Sequence, residues 1–245
     1  MKTVVLGDTH GRSQWKLITH LEQPDRVIFI GDYFDSFNIP AVEQMYNFNE
    51  IIEYKESGKA EVIMLIGNHD HHYYPEIGNT GTSGYQYGAA AGISKMIDDN
   101  RKHLQMAYIM DDFLFTHAGV SPVFMDQVFG DDGWTSDTIV DLLNDKMVYQ
   151  PKTFNFNGVE SSGDNRCQTP IWIRPRSLMA ANNKHEKGLK RTYRQVVGHT
   201  QQTQIDTKGS STGGRYYYID TLDTSGEYMV ITDGAISFNT WKNNK

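Results

Sequence analysis

The sequence predicts a layered α/β fold whose strands are covered on both faces. Strand and helix patterns alternate through the first third of the chain, and its strand-like runs, such as residues 26–30, are continuously apolar. Continuous apolar runs are typical of strands buried on both faces, whereas alternating runs mark half-exposed strands. With 245 residues, the chain is long enough for one large core. We therefore predict a single domain over residues 1–245.

The first elements follow directly from this pattern. Three apolar runs predict strands at residues 3–6, 26–30 and 61–66. Ser13 is a helix-capping residue type and precedes a helix predicted to end near Glu22. A second helix is predicted over 41–55, because Met45, Phe48 and Ile51 recur on one helical face.

The middle of the chain predicts an active-site loop and a less regular region. Residues 71–88 are rich in Gly, Thr, Ser and Tyr, which is typical of an active-site loop, and we expect its His71 and His72 to be solvated. A helix is predicted over 89–102, followed by strands over 105–110 and 113–116. Residues 120–172 are the least periodic and predict a substrate-facing insertion with a helix over 136–146.

The last third predicts a further strand and then hairpins. Residues 194–197 form the strand-like run before Gly198. The three final runs are 216–220, 227–232 and 235–240, and turn sequences at Ser225-Gly226 and Asp233-Gly234 separate them. Alternating runs joined by such turns predict antiparallel hairpins.

Composition excludes several classes of protein. A formal net charge of -7 argues against a general nucleic-acid binder. The single cysteine, Cys167, excludes an intrachain disulfide and a thiolate zinc site, and it favours a reducing compartment. No stretch approaches the roughly 18 apolar residues of a membrane span, so we expect a cytoplasmic protein without membrane partners.

Five short segments carry the chemistry of this sequence, and each follows an apolar, strand-like run. They are Gly7-Asp8-Thr9-His10-Gly11, Gly31-Asp32-Tyr33-Phe34-Asp35, Gly67-Asn68-His69-Asp70, Thr116-His117-Ala118-Gly119 and Gly198-His199-Thr200. Taken singly, each segment also fits an ordinary turn or a histidine bonded to the backbone. Together they supply carboxylates, imidazoles and an amide at successive strand ends, a ligand set suited to hard or borderline metal ions. The combination predicts a two-metal hydrolase.

The spacing within the segments indicates how two ions would be shared. Asp8 and His10 are two residues apart on an extended strand exit, so both side chains project to one side and could hold one ion. Asp32 has two carboxylate oxygens and could bridge two ions about 3.5–4 Å apart. Asn68, His117 and His199 would complete the second ion. Neutral amide and imidazole ligands leave the cluster cationic, which points to a phosphate substrate.

The order of these motifs over about residues 3–200 resembles the calcineurin-like metallophosphoesterases. Within that superfamily, the sequence is most similar to the branch of serine/threonine protein phosphatases, which has bacterial and phage members and includes diadenosine tetraphosphate hydrolases. His117-Ala118-Gly119-Val120-Ser121-Pro122 is similar to the His-Gly-Gly-Leu-Ser-Pro of that branch. The resemblance implies a four-layer α/β/β/α sandwich of two mixed sheets.

The resemblance also implies roles for individual residues. The implied metal ligands are Asp8 and His10 for the first ion, Asp32 as the bridge, and Asn68, His117 and His199 for the second. A hydroxide bridging the ions would attack phosphorus, because two cations lower the pKa of bound water. His69 would protonate the leaving oxygen, and Asp35 would orient His69.

Two positions depart from the family pattern. Ser36 stands where the branch has a phosphate-binding arginine, so another cation is needed. Arg174 is our first choice, Arg176 the second and Arg12 the third, because a guanidinium fork suits a phosphoryl group. Gln201 stands where many phosphodiesterases and nucleases of the superfamily carry a further histidine, which favours hydrolysis of a monoester or polyphosphate.

The sequence therefore predicts a dinuclear-metal-dependent phosphoesterase that acts on phosphomonoesters in the manner of phosphoprotein phosphatases. Its substrate would be a phosphoprotein, a small phosphoester or a dinucleotide. One alternative is a dinucleoside polyphosphate hydrolase, and another is a catalytically idle metal-binding scaffold. For the two divalent ions we expect manganese, with iron or zinc as alternatives.

Overall fold

A computed structural model describes residues 1–78, 83–159, 165–189, 192–208 and 215–244 of the protein. In chain order the strands are β1 (Lys2–Leu6), β2 (Arg26–Phe29), β3 (Glu61–Leu65), β4 (Leu104–Gln105), β5 (Ala107–Met110), β6 (Phe113–Thr116), β7 (Arg194–Val197), β8 (Asp206–Lys208), β9 (Tyr216–Tyr218), β10 (Glu227–Thr232) and β11 (Ala235–Thr240). The α-helices are α1 (Gln14–Glu22), α2 (Ala41–Glu56), α3 (Asn68–His71), α4 (Ala90–Asp99), α5 (Pro122–Phe129), α6 (Ile139–Tyr149) and α7 (Pro175–Lys184).

The strands form two mixed sheets. The first sheet has the order β11-β10-β1-β2-β3-β4, in which β1 to β4 are parallel and β10 is antiparallel to both of its neighbours. The second has the order β5-β6-β7-β9-β8, with β6, β7 and β9 parallel and the two outer strands antiparallel. In both sheets the central strands are parallel, so their carboxyl ends share one edge.

The two sheets pack face to face, and helices cover their outer faces. Val5 and Ile28 of the first sheet share a buried cluster with Phe115 and Val196 of the second. On the outer faces, α1, α2 and α4 pack on the first sheet, and α7 packs on the second. The central strands of both sheets are thus covered on both sides, which explains their continuous apolar sequences. The predicted four-layer α/β/β/α sandwich is confirmed.

Two strand predictions were wrong because the chain changes sheets within them. The run predicted as one strand over 105–110 is divided into β4 and β5, which belong to different sheets and are separated by the buried Met106. Likewise β9 and β10 lie in different sheets, so of the three final runs only the last two, β10 and β11, pair with each other, through the turn at Asp233-Gly234. The apolar pattern of the sequence does not show where the chain passes from one sheet to the other, so the strand boundaries there could not be predicted.

Three helices, α3, α5 and α7, and one strand were missing from the sequence prediction. Helices α5 and α7 both begin with a proline at the first helical position, which suits that position because the first amide needs no intrahelical partner. Strand β8 has only three residues. Among the described residues, no helix is long and apolar enough to cross a membrane.

The expectation of a solvated loop at His71 and His72 was also wrong. Both side chains are buried, with 2% and 1% of their surface exposed. His71 ends α3, and its Nε2 donates a hydrogen bond to the carbonyl oxygen of Pro151 at 2.8 Å. The first four residues of this segment, 71–74, are therefore buried, since Tyr73 and Tyr74 are buried as well.

Candidate metal centre

Six strand ends bring their polar residues to one place. Two groups of potential metal ligands form there, and within each group one ligand atom per residue lies within 4.8 Å of the others. The first group contains Asp8, His10 and Asp32, and the second contains Asp32, His117 and His199. Asp32 belongs to both groups, so its carboxylate stands between the two candidate positions.

Backbone carbonyl groups fix the orientation of two of these histidines. Nδ1 of His10 lies 2.6 Å from the carbonyl oxygen of Phe34, and Nδ1 of His117 lies 2.9 Å from that of Ile30. A carbonyl oxygen only accepts, so each Nδ1 carries the hydrogen and each Nε2 is left as the ligand atom. Those Nε2 atoms lie 3.9 and 3.3 Å from Asp32 Oδ2. This arrangement is typical of metal-binding histidines.

His199 is held in the same way through its other nitrogen. Its Nε2 donates to the carbonyl oxygen of Trp172 at 3.1 Å, which leaves Nδ1 facing Asn68 Oδ1 at 2.8 Å. The same amide oxygen lies 3.0 Å from His117 Nε2. The lone pair of His199 Nδ1 thus faces an oxygen that also only accepts, and a cation bound between the two atoms would satisfy both. The donor set fits a metal ion here.

Asp220 also belongs to the site, and the sequence analysis missed it. It follows β9 as Asp8 follows β1, is buried, and forms a hydrogen bond with the Asp8 carboxyl group. Burial and the neighbouring Asp220 raise the pKa of Asp8 well above its usual range, while burial and Asp32 raise the pKa of Asp220 to about 6. The strand-end rule would have found Asp220 if the run Tyr216–Ile219 had been assigned to the central parallel strands.

Charge is strongly concentrated among these buried groups. Burial alone would raise the pKa of Asp32, but His117 and His69 outweigh it and hold the value well below its usual range. Burial opposes the charged form of His117, yet Asp32 and Asp8 raise its pKa to about 9. Burial and the charge of His117 lower the pKa of His199 well below its usual range. Several buried carboxylates so close together favour a bound cation.

The backbone is shaped to bring these side chains together. A Cβ atom at Gly67 would lie 2.0 Å from Asp32 Oδ1, and one at Gly198 would lie 2.0 Å from Asp8 Oδ1. Glycine therefore leaves the space that each carboxylate occupies. Among the described residues, seven non-glycine residues have positive φ, and four of them belong to this site: His10, Asp32, Asp35 and His199. Such strained conformations cluster at functional sites.

Asp70 ties the ends of β2 and β3 together beneath the site. Its carboxylate accepts backbone hydrogen bonds from Asp32 and Tyr33 at 2.7 Å each and from Gly67 at 2.9 Å. Asp70 is fully buried, and burial together with the Asp32 charge raises its pKa to about 7. It therefore fixes the turn that carries Asp32 and Asn68.

His69 lies next to the metal-ligand groups and contacts Asp35. Its Nδ1 donates to Asp35 Oδ2 at 2.9 Å. Burial opposes the charged imidazole, but Asp32 and Asp35 outweigh it and raise the pKa of His69 to about 9. The ring lies 5.3 Å from that of His10, measured between centroids. His69 is thus a candidate proton donor at the edge of the cluster.

A cavity of about 430 Å³ opens above the cluster. Arg174 and Arg12 line it, and so does Ser36, whereas Arg176 does not. Arg174 donates to the carbonyl oxygen of His199 at 3.0 Å and to Thr200 Oγ1 at 3.1 Å, and the residue remains exposed. Arg12 is paired with Asp223 at 2.8 Å. Arg174 is therefore the cation best placed for an incoming phosphoryl group.

The predicted insertion at residues 120–172 contributes little to this cavity. None of its described residues lines the cavity. Many of its apolar side chains, including Trp134, Leu143 and Phe154, are buried in the core instead. Trp172 approaches the site from below, with its ring centroid 5.8 Å from that of His199. A substrate-facing role for this segment stays a prediction.

Residues 1–202 match the family described as calcineurin-like phosphoesterase, and the protein belongs to that family. Family members use divalent metal ions, so the family and the donor set described above agree. No curated protein matches the chain in sequence.

Solved structures with similar folds include several phosphatases. A cold-active protein-tyrosine phosphatase from a psychrophilic Shewanella species has a TM-score of 0.64 at 18% identity, covering 98% of this chain and 77% of that one. A serine/threonine phosphatase from Saccharomyces cerevisiae has a TM-score of 0.59 at 13% identity, with coverages of 98% and 80%. A metallophosphoesterase from Sphaerobacter thermophilus has a TM-score of 0.51 at 13% identity, with coverages of 98% and 87%. At these identities the likeness concerns the fold alone.

Proposed function

We propose that the protein is a dinuclear-metal-dependent phosphomonoesterase. The observation that carries this proposal is the position of Asp32, whose carboxylate belongs to both groups of potential ligands. Asp8 and His10 would hold one ion, and Asn68, His117 and His199 would hold the other. A shared carboxylate is how a protein keeps two ions close enough to act on one phosphoryl group.

The other residues of the site would bind the phosphoryl group and protonate the leaving group. Divalent ions, when bound, supply an acidified water molecule and polarise the phosphoryl oxygens. Arg174 would bind a non-bridging phosphoryl oxygen from the cavity side, because it lines the cavity and its guanidinium can replace that of the arginine absent at Ser36. His69, oriented by Asp35, would donate a proton to the leaving oxygen. This pairing argues against an idle metal-binding scaffold.

One observation favours dinucleoside polyphosphates as a second candidate substrate class. Phe37 lines the cavity with 79% of its surface exposed, two residues beyond Asp35. An exposed aromatic ring at the mouth of a phosphate site is suited to stacking on a nucleobase. The same ring would also accept the side chain of a phosphotyrosine, so Phe37 alone does not separate the two classes.

A parallel assay tests the proposal. After reconstitution with Mn²⁺, the protein would be given an aryl phosphomonoester, an aryl phosphodiester, a phosphopeptide and a dinucleoside tetraphosphate. We expect the highest kcat/KM for one of the two monoesters and little turnover of the diester. Preferred cleavage of the tetraphosphate would favour the second candidate. No turnover of any substrate by protein that has bound two ions would contradict the enzymatic function.

A further inference from the structure

The carboxylate of Asp35 is enclosed by residues of the loop that follows α3. Its Oδ2 lies 2.9 Å from His69 Nδ1 and 2.7 Å from Nε2 of His72. Its Oδ1 accepts a hydrogen bond from the hydroxyl group of Tyr73 at 2.5 Å. One oxygen of Asp35 therefore accepts a hydrogen bond from His69 and lies in close contact with His72, and the other accepts a hydrogen bond from a phenol.

An aromatic layer keeps His72 in this position. Its ring contacts Tyr73 and Tyr85 edge-on, with centroid distances of 4.5 and 4.9 Å. Tyr73 and Tyr85 stack on each other at 4.8 Å with an interplanar angle of 13°. The Tyr73 oxygen also accepts the backbone amide of Gln86 at 2.8 Å. His72 is 1% exposed, so its contact with Asp35 is sealed from solvent.

We propose that His72 is a positioning residue, which holds the Asp35 carboxylate so that Asp35 in turn holds His69 toward the leaving group. This inference rests on the proposed function, because it concerns the proton donor of that reaction. His72 is not among the residues that line the cavity, so it would not touch a substrate bound there. Its effect would pass through Asp35 and through an edge-on ring contact with His69 itself, at a centroid distance of 5.8 Å.

The physical reason lies in the freedom of a carboxylate. The terminal torsion of aspartate is broad, and a carboxylate held at one oxygen only can turn its second oxygen away from a partner. With His72 and Tyr73 in place, both oxygens of Asp35 are fixed and Oδ2 points at His69 Nδ1. Removing His72 leaves Tyr73 on Oδ1 and, among the described side chains, His69 alone on Oδ2. The pair of Asp35 and His69 can then turn out of the orientation in which His69 protonates an oxygen.

The dependence of the rate on the leaving group tests this inference. Phenolate departs poorly without a proton, whereas p-nitrophenolate needs little assistance. We expect His72→Ala to lower kcat roughly tenfold for phenyl phosphate but less than about threefold for p-nitrophenyl phosphate. The loss for phenyl phosphate is smaller than the roughly 10²–10⁴-fold acceleration that general acid catalysis supplies, because His69 itself is still present. His72→Gln should restore most of the loss, because its amide can donate to Asp35. Tyr73→Phe should show the same selectivity.

His71→Ala is the matched control, since His71 is equally buried but bonds to Pro151. It should affect both esters equally. Metal content, measured by mass spectrometry, should be unchanged in all four variants.

Three results would overturn the inference: equal losses of the two esters in His72→Ala, no loss at all, or loss of metal from this variant. If His72→Ala does not fold, the selectivity of Tyr73→Phe and of His72→Gln decides in its place. A wild-type protein that hydrolyses neither ester would overturn the proposed function as well, so the two failures are distinguishable.

Discussion

At the residue scale, each candidate ligand is fixed through its second polar atom. His10, His117 and His199 each give one ring nitrogen to a backbone carbonyl group and turn the other toward the cluster. Asp8 accepts the backbone amide of His199 at 3.0 Å. Such partners hold the ligands in place before an ion binds, which reduces the entropy lost on binding.

Asp32 and His69 should respond differently to the same kind of substitution. Asp32→Asn and His69→Asn should both abolish hydrolysis of a phosphomonoester, His69→Asn by roughly 10²–10⁴ in kcat if it is the general acid. Only Asp32→Asn should also lose bound metal, because Asp32 is the residue shared by the two ligand groups. Metal analysis of the two purified variants measures the difference. Equal loss of metal from both would refute the assigned roles.

Asp220 should act through Asp8. Its carboxyl group is hydrogen-bonded to that of Asp8. Asp220→Ala removes this partner and should weaken metal binding by roughly 10–100-fold, as is usual for partners of metal ligands. Asp220→Asn should bind nearly as well as the wild type, because an amide can donate to Asp8. Equilibrium dialysis against Mn²⁺ measures the metal affinity of both variants. An affinity of Asp220→Ala similar to that of the wild type would show that Asp220 does not support the metal centre.

At the element scale, the geometry of the site is set by the turns at the strand ends rather than by the strands themselves. The parallel strands stop at turns in which glycine lets a carboxylate approach the backbone, as at Gly67 and Gly198. Helix α3 begins at one of these turns and carries Asn68 and His69 into the site. The site therefore depends on residues that stand one to four positions beyond the ends of these strands.

Gly198→Ala tests the importance of these turns. A methyl group there would lie 2.0 Å from Asp8 Oδ1, so the carboxylate must move. We expect a loss of metal affinity, seen in a Mn²⁺ titration, with the secondary structure unchanged by circular dichroism. Gly88→Ala is the control, since a Cβ atom there meets nothing within 4 Å. Wild-type metal affinity in Gly198→Ala would contradict the packing argument.

The sequence predicted the strands and helices that are determined by a local pattern of residues. Apolar runs located β1, β2 and β3, and the polar residues after them lie together because parallel strands share an edge. The change of sheet between β4 and β5 could not be read from the sequence, since one apolar run serves both strands. His72 was misjudged because its burial depends on contacts with Asp35 and Tyr85 that no local pattern reveals.

At the scale of the whole molecule, the two ends of the chain meet beside α1. Glu22, the last residue of α1, accepts hydrogen bonds from Tyr228 at 2.8 Å and Asn239 at 2.7 Å, and its other oxygen lies 3.2 Å from Lys2 Nζ. One carboxylate thus joins a helix to β1, β10 and β11. Burial opposes its charge, but the hydrogen bonds from Asn239 and Tyr228 outweigh burial and lower the pKa of Glu22.

Stability should therefore depend on pH through Glu22. Because its pKa is lower in the folded state, its contribution is present above the ordinary value of 4.5 and is lost as pH falls through the folded value. Glu22→Gln should lower the free energy of unfolding by about 1–2 kcal/mol at neutral pH, and the difference should shrink in acid. Urea unfolding at several pH values measures it. The exposed pair of Lys95 and Asp99 provides a control, because Asp99→Asn should change little.

The central claim is that the strand-end cluster holds two divalent ions that are required for hydrolysis of a phosphomonoester. Its most direct test is a titration of chelated, metal-free protein with Mn²⁺, in which bound metal and hydrolysis of p-nitrophenyl phosphate are measured on the same samples. The claim predicts no hydrolysis without metal and full activity when two ions are bound per chain. Hydrolysis that survives chelation, or that is absent from protein carrying two ions, would contradict it.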